Sequence, residues 1–111
     1  MASAEELQRN ALALIGSTVK STPAAAKLDT NQLLFELNGK WNQLQQGNTL
    51  DLQPLYVALM ARSVAPNDAS LVCLLLQKRE DRLGMPVKLP PMVATLPERV
   101  RAEMVAVAMQ K

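Results

Sequence analysis

The sequence predicts an all-α fold, a compact single-domain bundle of four to five helices with a proline-rich loop before the last helix. Hydrophobic residues make up 49% of the 111-residue chain and charged residues 20%, which is a globular composition. Aromatic residues reach only 3%, and Ala and Leu rank highest in helix propensity, so the composition favours helix over strand. The length fits one domain, residues 1–111, in which residues 1–28 are expected to form a more loosely attached N-terminal helix and connector.

The first helix is predicted to begin at Ser3, with Glu6 three residues later. This spacing is typical of a capping box, in which the two side chains bind free backbone amides at the helix start. Apolar residues then recur on one helical face from Leu7 to Val19, and Pro23 ends the segment.

The second helix is predicted from Asp29, which with Gln32 repeats the capping-box spacing. One apolar stripe follows at helical spacing, made of Leu33, Leu34, Leu37, Trp41 and Leu44. Gly47 is predicted to be the C-terminal cap of this helix. Gly39 inside it costs about 1 kcal/mol relative to alanine, a cost often tolerated where another backbone approaches closely.

A third helix is predicted from about Leu52 to Ser63, capped by Thr49 or Asp51. Pro54 falls in its first turn, where the missing amide proton does little harm. This helix therefore has a start signal independent of its apolar pattern.

The fourth helix is predicted to begin near Asn67 or Asp68 and to form the buried centre of the domain. Its run LVCLLL, residues 71–76, is apolar around the full circumference. A short apolar run is also compatible with a strand, but the charged, helix-compatible residues that follow favour helix. Leu83 and Gly84 are expected to end it.

Three prolines between Gly84 and Thr95 exclude regular helix there and favour extended or polyproline-like backbone. The last helix is predicted to begin at Thr95, with Glu98 completing a third capping box and Pro97 in the first turn. The proline-rich loop thus separates the last helix from the rest.

No catalytic, metal or cofactor site is predicted, and the chain is expected not to be an enzyme. Histidine is absent, which removes the commonest general base and transition-metal ligand. Cys73 is the one cysteine, so it has no disulfide partner, and its apolar surroundings favour a role in core packing. No glycine-rich phosphate-binding pattern occurs.

A cytoplasmic location without a membrane span is expected. No apolar run approaches the roughly 18 residues of a transmembrane helix. The N-terminal residues MASAEELQRN carry acidic side chains where a secretory signal has basic and then apolar ones.

Protein–protein interaction is the leading functional hypothesis: an adaptor, small chaperone or complex subunit that binds another protein, including a second copy of itself as a homo-oligomer. Six methionines are many for this length, and the flexible Met side chain adapts to varied surfaces. The predicted partner-binding residues lie in the proline-rich loop and the last helix: Met85, Val87, Leu89, Met92, Val105 and Met109.

The alternative hypothesis is a nucleic-acid-binding helical domain that uses a C-terminal basic patch. The patch would consist of Lys78, Arg79, Arg82, Arg99 and Arg101, if the last helix packs near the fourth. A net charge of only +2 gives this reading little support. Interspersed acidic residues would repel phosphate, and the start of the fourth helix is apolar where a DNA-reading helix is polar.

Overall fold

The computed structural model describes residues 3–110, and within this range it contains eight helices and three short strands. The helices are α1 (Ala4–Ser21), α2 (Thr30–Gly39), α3 (Trp41–Leu44), α4 (Gln53–Ala61), α5 (Pro66–Lys78), α6 (Glu80–Leu83), α7 (Pro91–Ala94) and α8 (Glu98–Met109). The strands are β1 (Gln45–Gln46), β2 (Thr49–Asp51) and β3 (Val87–Lys88). Helix covers 69% of the described residues, which confirms the predicted predominantly helical class.

Five of these helices span between nine and 18 residues and lie where the five helices were predicted. Two of the three single-turn helices, α3 and α6, lie within the predicted second and fourth helices, which are therefore each interrupted, whereas α7 and the sheet were not predicted. The radius of gyration is 13.1 Å, close to the roughly 13 Å expected for a compact chain of this length.

Helix α5 is the centre of the fold and packs against α1, α4, α6, α7, α8 and β3. Val72, Cys73 and Leu76 are fully buried within it. A segment that is apolar around its whole circumference needs neighbours on every side, and these elements supply them. The predicted helical, buried centre is confirmed, and the strand alternative is excluded.

Helix α1 is part of the core. Its start is as predicted, because the Ser3 hydroxyl accepts a hydrogen bond from the Glu6 amide at 3.1 Å. Ala11, Ile15 and Val19 are fully buried, and α1 packs against α2, α5 and α6. The expectation that residues 1–28 are loosely attached is therefore wrong for their described part.

The second predicted helix is interrupted. Asp29 caps α2 as expected, accepting from the Gln32 amide at 3.2 Å. Lys40 then leaves helical geometry, and the chain passes through α3 into the β1–β2 hairpin. Gly47, with φ of +63°, occupies the first position of the two-residue turn between the paired Gln46 and Thr49. Glycine at that position favours a hairpin, so Gly47 turns the chain instead of capping a helix.

The three strands form a small sheet, with β2 antiparallel to β1 and parallel to β3. The Leu50 amide donates to the Pro86 carbonyl at 2.9 Å, and the Leu52 amide donates to the Lys88 carbonyl at 3.1 Å. The proline-rich segment is extended as predicted at β3, where it is bound to the core as a strand, but the expectation that its prolines exclude helix is wrong for Pro91–Ala94, which form α7. An all-α fold is corrected to a mostly helical fold with this sheet.

The predicted capping box of the last helix does not form. Thr95 ends α7 in helical conformation, and its hydroxyl donates to the Met92 carbonyl at 3.1 Å. Helix α8 begins three residues later, after Pro97, without a side-chain cap. Thr95, which was expected to start the last helix, is therefore the C-terminal cap of the short helix α7.

Candidate functional site

Helix α8 lies on α5 without burying any of its own residues. Its half-buried residues include Arg101, Met104, Val105 and Ala108, whose spacing places them on one face. Met104 and Val105 pack against the core. Contact along this narrow stripe leaves a groove on each side of α8.

The first groove has a volume of about 550 Å³ and lies between the C-terminal end of α1, α5 and α8. It is lined by Ser21, Thr22, Pro23, Ala24, Asp68, Leu71, Leu75, Arg79, Met104, Val107, Ala108 and Met109. Val107 is 61% exposed and Met109 58% exposed, so large apolar side chains stand at its edge. This groove offers mainly apolar contact.

The second groove, with a volume of about 450 Å³, lies on the opposite side of α8. Its lining residues are Leu74, Gln77, Lys78, Glu98, Arg101, Ala102, Val105 and Ala106. Leu74 is buried and Val105 half-buried, whereas Lys78 is exposed. An apolar floor is therefore combined here with two cations.

Three of the six predicted partner-binding residues are not buried in the core. Met109 lines the first groove and Val105 the second. Met92 is 67% exposed on α7 but lines neither groove.

The other three predicted residues, Met85, Val87 and Leu89, are buried in the domain's own core. They are therefore corrected from partner-binding to core residues, because the pairing of β3 with β2 turns this segment inward.

Sequence reasoning missed Val107 and Leu71 as groove residues. Val107 lies three residues after Met104, a spacing that places both side chains on one stripe of α8. The orientation of that stripe depends on the position of α5, which local spacing does not report. Leu71 was assigned to the buried centre with the rest of its apolar run, but it is only half-buried at the groove.

The predicted basic residues do not share one groove, although α8 does pack on α5 as that prediction required. Arg79 lines the first groove, and its Nη1 donates to the Thr18 hydroxyl at 3.0 Å. Lys78 and Arg101 line the second groove. The remaining members of the predicted patch, Arg82 and Arg99, are exposed and line neither groove.

Arg101 has an electrostatic feature of its own. Its Nε is buried and has no hydrogen-bond acceptor among residues 3–110. A buried N–H left without an acceptor costs on the order of 1–3 kcal/mol. Within the same range the ion pairs are those of Glu36 with Lys40 and Arg62, so neither Arg101 nor Lys78 is neutralised by a carboxylate.

Cys73 is the one cysteine of the chain, and its side chain is buried. Burial raises the pKa of the Cys73 thiol to about 12, so the sulfur is protonated at neutral pH and is a poor nucleophile. Residues 3–110 contain no group of three His, Cys, Asp or Glu side chains placed to hold a metal ion. No helix in that range has the length and hydropathy needed to cross a membrane.

Comparison with protein-family models, curated proteins and solved structures finds no match for this chain.

Proposed function

We propose that the chain is a non-catalytic protein–protein interaction module, an adaptor, small chaperone or complex subunit, that binds its partner along α8. The observation that carries this proposal is that all 12 residues of α8 stay unburied although the helix is rich in Val and Met. A cytoplasmic location belongs to the same proposal, and so does a second copy of the chain as one form of the partner.

The first groove is the proposed main contact. Burying a large apolar side chain such as Val107 or Met109 stabilises a complex by roughly 1.5–3 kcal/mol when burial is complete. Grooves between helices commonly receive the apolar face of a partner helix, anchored by a few side chains. Met104 and Met109 suit this role because unbranched Met side chains adjust to different partners.

Affinity capture from nuclease-treated lysate of the source organism, read by mass spectrometry, tests the proposal. The wild-type chain is compared with Met109→Asp, which places a charge at the edge of the first groove. We expect one protein to be recovered with wild type and its recovery to fall by about tenfold with Met109→Asp, since an unpaired charge opposes burial.

Two control variants make the result specific. Met60→Asp changes a 39% exposed Met on α4, outside both grooves, and should leave recovery unchanged. Met92→Asp tests α7: loss of the partner with this variant alone would move the binding surface away from α8. If Met109→Asp loses helicity, Met109 is a core residue and the assignment is wrong.

The rival function, nucleic-acid binding, gives a different result. It predicts recovery of nucleic acid when nuclease is omitted, with binding that weakens steeply as salt rises. The division of the basic residues between the two sides of α8 supports the protein partner over this rival.

A further inference from the structure

We infer that the second groove recognises an acidic, apolar helical segment of a partner protein, with an Asp or Glu carboxylate of that segment accepting a hydrogen bond from Arg101. This inference rests on the proposed function, because it specifies what kind of partner the α8 surface receives. It adds a charge requirement that the apolar first groove does not impose.

The unsatisfied Nε of Arg101 is the first observation. This N–H is buried in the isolated chain and lacks an acceptor among the described residues. A turn of this half-buried side chain towards a carboxylate brought in by a partner would give the N–H its missing acceptor, and hydrogen bonds between a guanidinium and a carboxylate are among the strongest that proteins make.

The charge balance of the groove is the second observation. Lys78 and Arg101 line it together with one carboxylate, that of Glu98, which forms no ion pair with either in the described structure. The groove therefore carries a net positive charge and complements a negative side chain. The first groove differs, because Asp68 offsets Arg79 there and the Arg79 guanidinium is already bound to Thr18.

The apolar residues of the second groove determine which other side chains the ligand must carry. Leu74, which is buried, and Val105, which is half-buried, line the groove together with the two cations, so the groove offers apolar contact as well as charge. An amphipathic helix places apolar and acidic residues three or four positions apart on one face, which matches this combination. The phosphate backbone of a nucleic acid has no apolar group to contact Leu74 and Val105, and it would be repelled by the Glu98 carboxylate.

Selection of random peptides displayed on phage tests the inference with a defined probe. The peptides are about 14 residues long, roughly four helical turns, and are selected against the full chain. We expect enriched peptides to carry Asp or Glu three or four positions from Leu, Met or Phe. Their affinity should fall about tenfold for Arg101→Met, which keeps the length and apolar stem of the side chain but removes its charge.

Matched variants separate a local effect from a general one. Arg99→Met removes an exposed cation from the same helix outside both grooves and should leave affinity unchanged. Lys78→Met alters the groove from an exposed position on α5 and should also weaken binding. It serves as the second test if Arg101→Met does not fold.

The outcomes distinguish this inference from the proposed function. Enriched peptides without acidic residues, whose binding survives Arg101→Met but is lost with Met109→Asp, would overturn the inference and leave the proposed function standing. Absence of any enriched peptide, with binding of a single-stranded oligonucleotide at low salt, would overturn both.

Discussion

The guanidinium of Arg79, at the end of α5, donates a hydrogen bond to the hydroxyl of Thr18 on α1 at 3.0 Å. Thr18 is fully buried, and the same hydroxyl donates to the Leu14 carbonyl at 2.8 Å. The buried hydroxyl is thus satisfied as donor and acceptor, and it joins the central helix to the N-terminal one. Arg79, considered from the sequence as a nucleic-acid contact, has a structural partner instead.

Thr18→Val should reduce the free energy of unfolding by about 1–2 kcal/mol. Valine keeps the shape of threonine but leaves the Arg79 guanidinium without this acceptor, and hydrogen bonds to charged groups contribute more than neutral ones. Urea denaturation measures the change. Ser17→Val, at an exposed position on the same helix, is the control and should shift stability by less than about 0.5 kcal/mol.

Ser63→Gly should raise the free energy of unfolding by about 0.5–1 kcal/mol. Ser63 has a φ of 67° just after α4, where its amide donates to the Met60 carbonyl and the Val64 amide to the Leu59 carbonyl, both at 3.1 Å. This is the Schellman ending, in which glycine avoids the cost of the left-handed conformation. Thermal unfolding compared with Ser63→Ala checks it, and equal stability of the two variants would contradict the account.

Gly39→Ala and Gly16→Val should have opposite effects. A Cβ at Gly39 meets no atom within 4 Å, so alanine should stabilise α2 by about 0.5 kcal/mol through helix propensity. At Gly16 a Cβ would lie 2.9 Å from Leu34 Cδ1, where α1 crosses α2, so the branched valine should destabilise by about 1–3 kcal/mol through overpacking. Chemical denaturation of both variants measures the two changes in the free energy of unfolding, and a stabilising Gly16→Val would show that the Leu34 side chain moves aside without cost.

Cys73 should react with a thiol reagent only as fast as the domain unfolds. Its pKa is raised from 9.0 to about 12 by burial, so the folded state keeps a proton that the unfolded state loses between these values. The free energy of unfolding should therefore fall as pH rises from 9 towards 12, by at most about 1.4 kcal/mol per pH unit. The rates at which a thiol reagent labels Cys73 with and without urea test whether the reaction follows unfolding. Rapid labelling of the native chain would contradict the burial.

Local signals in the sequence predicted the parts of the fold that local chemistry determines. Ser3 and Asp29 cap their helices because capping depends on neighbours three residues away. The sheet was missed because strands of two or three residues are too short to show alternation, and because β3 pairs with a strand far away in the chain. The close approach that explains a glycine inside a helix occurs at Gly16, whereas Gly39 faces open space.

The candidate site was predicted only in part, for a similar reason. Val105 and Met109, which were predicted to bind a partner, do line grooves. Which residues of α8 stay exposed depends on its packing against α5, and this packing leaves Val107 exposed and Arg101 half-buried. The pairing of β3 with β2 likewise buries Val87, which was predicted to bind a partner.

Hydrogen exchange of the chain alone and in complex with its captured partner tests the central claim, that α8 forms the binding surface. Because α8 contributes no buried residue, its amides should exchange faster than those of α5 in the free chain and become protected in the complex. Protection confined to other elements, with residues 98–109 exchanging at the same rate free and bound, would contradict the account.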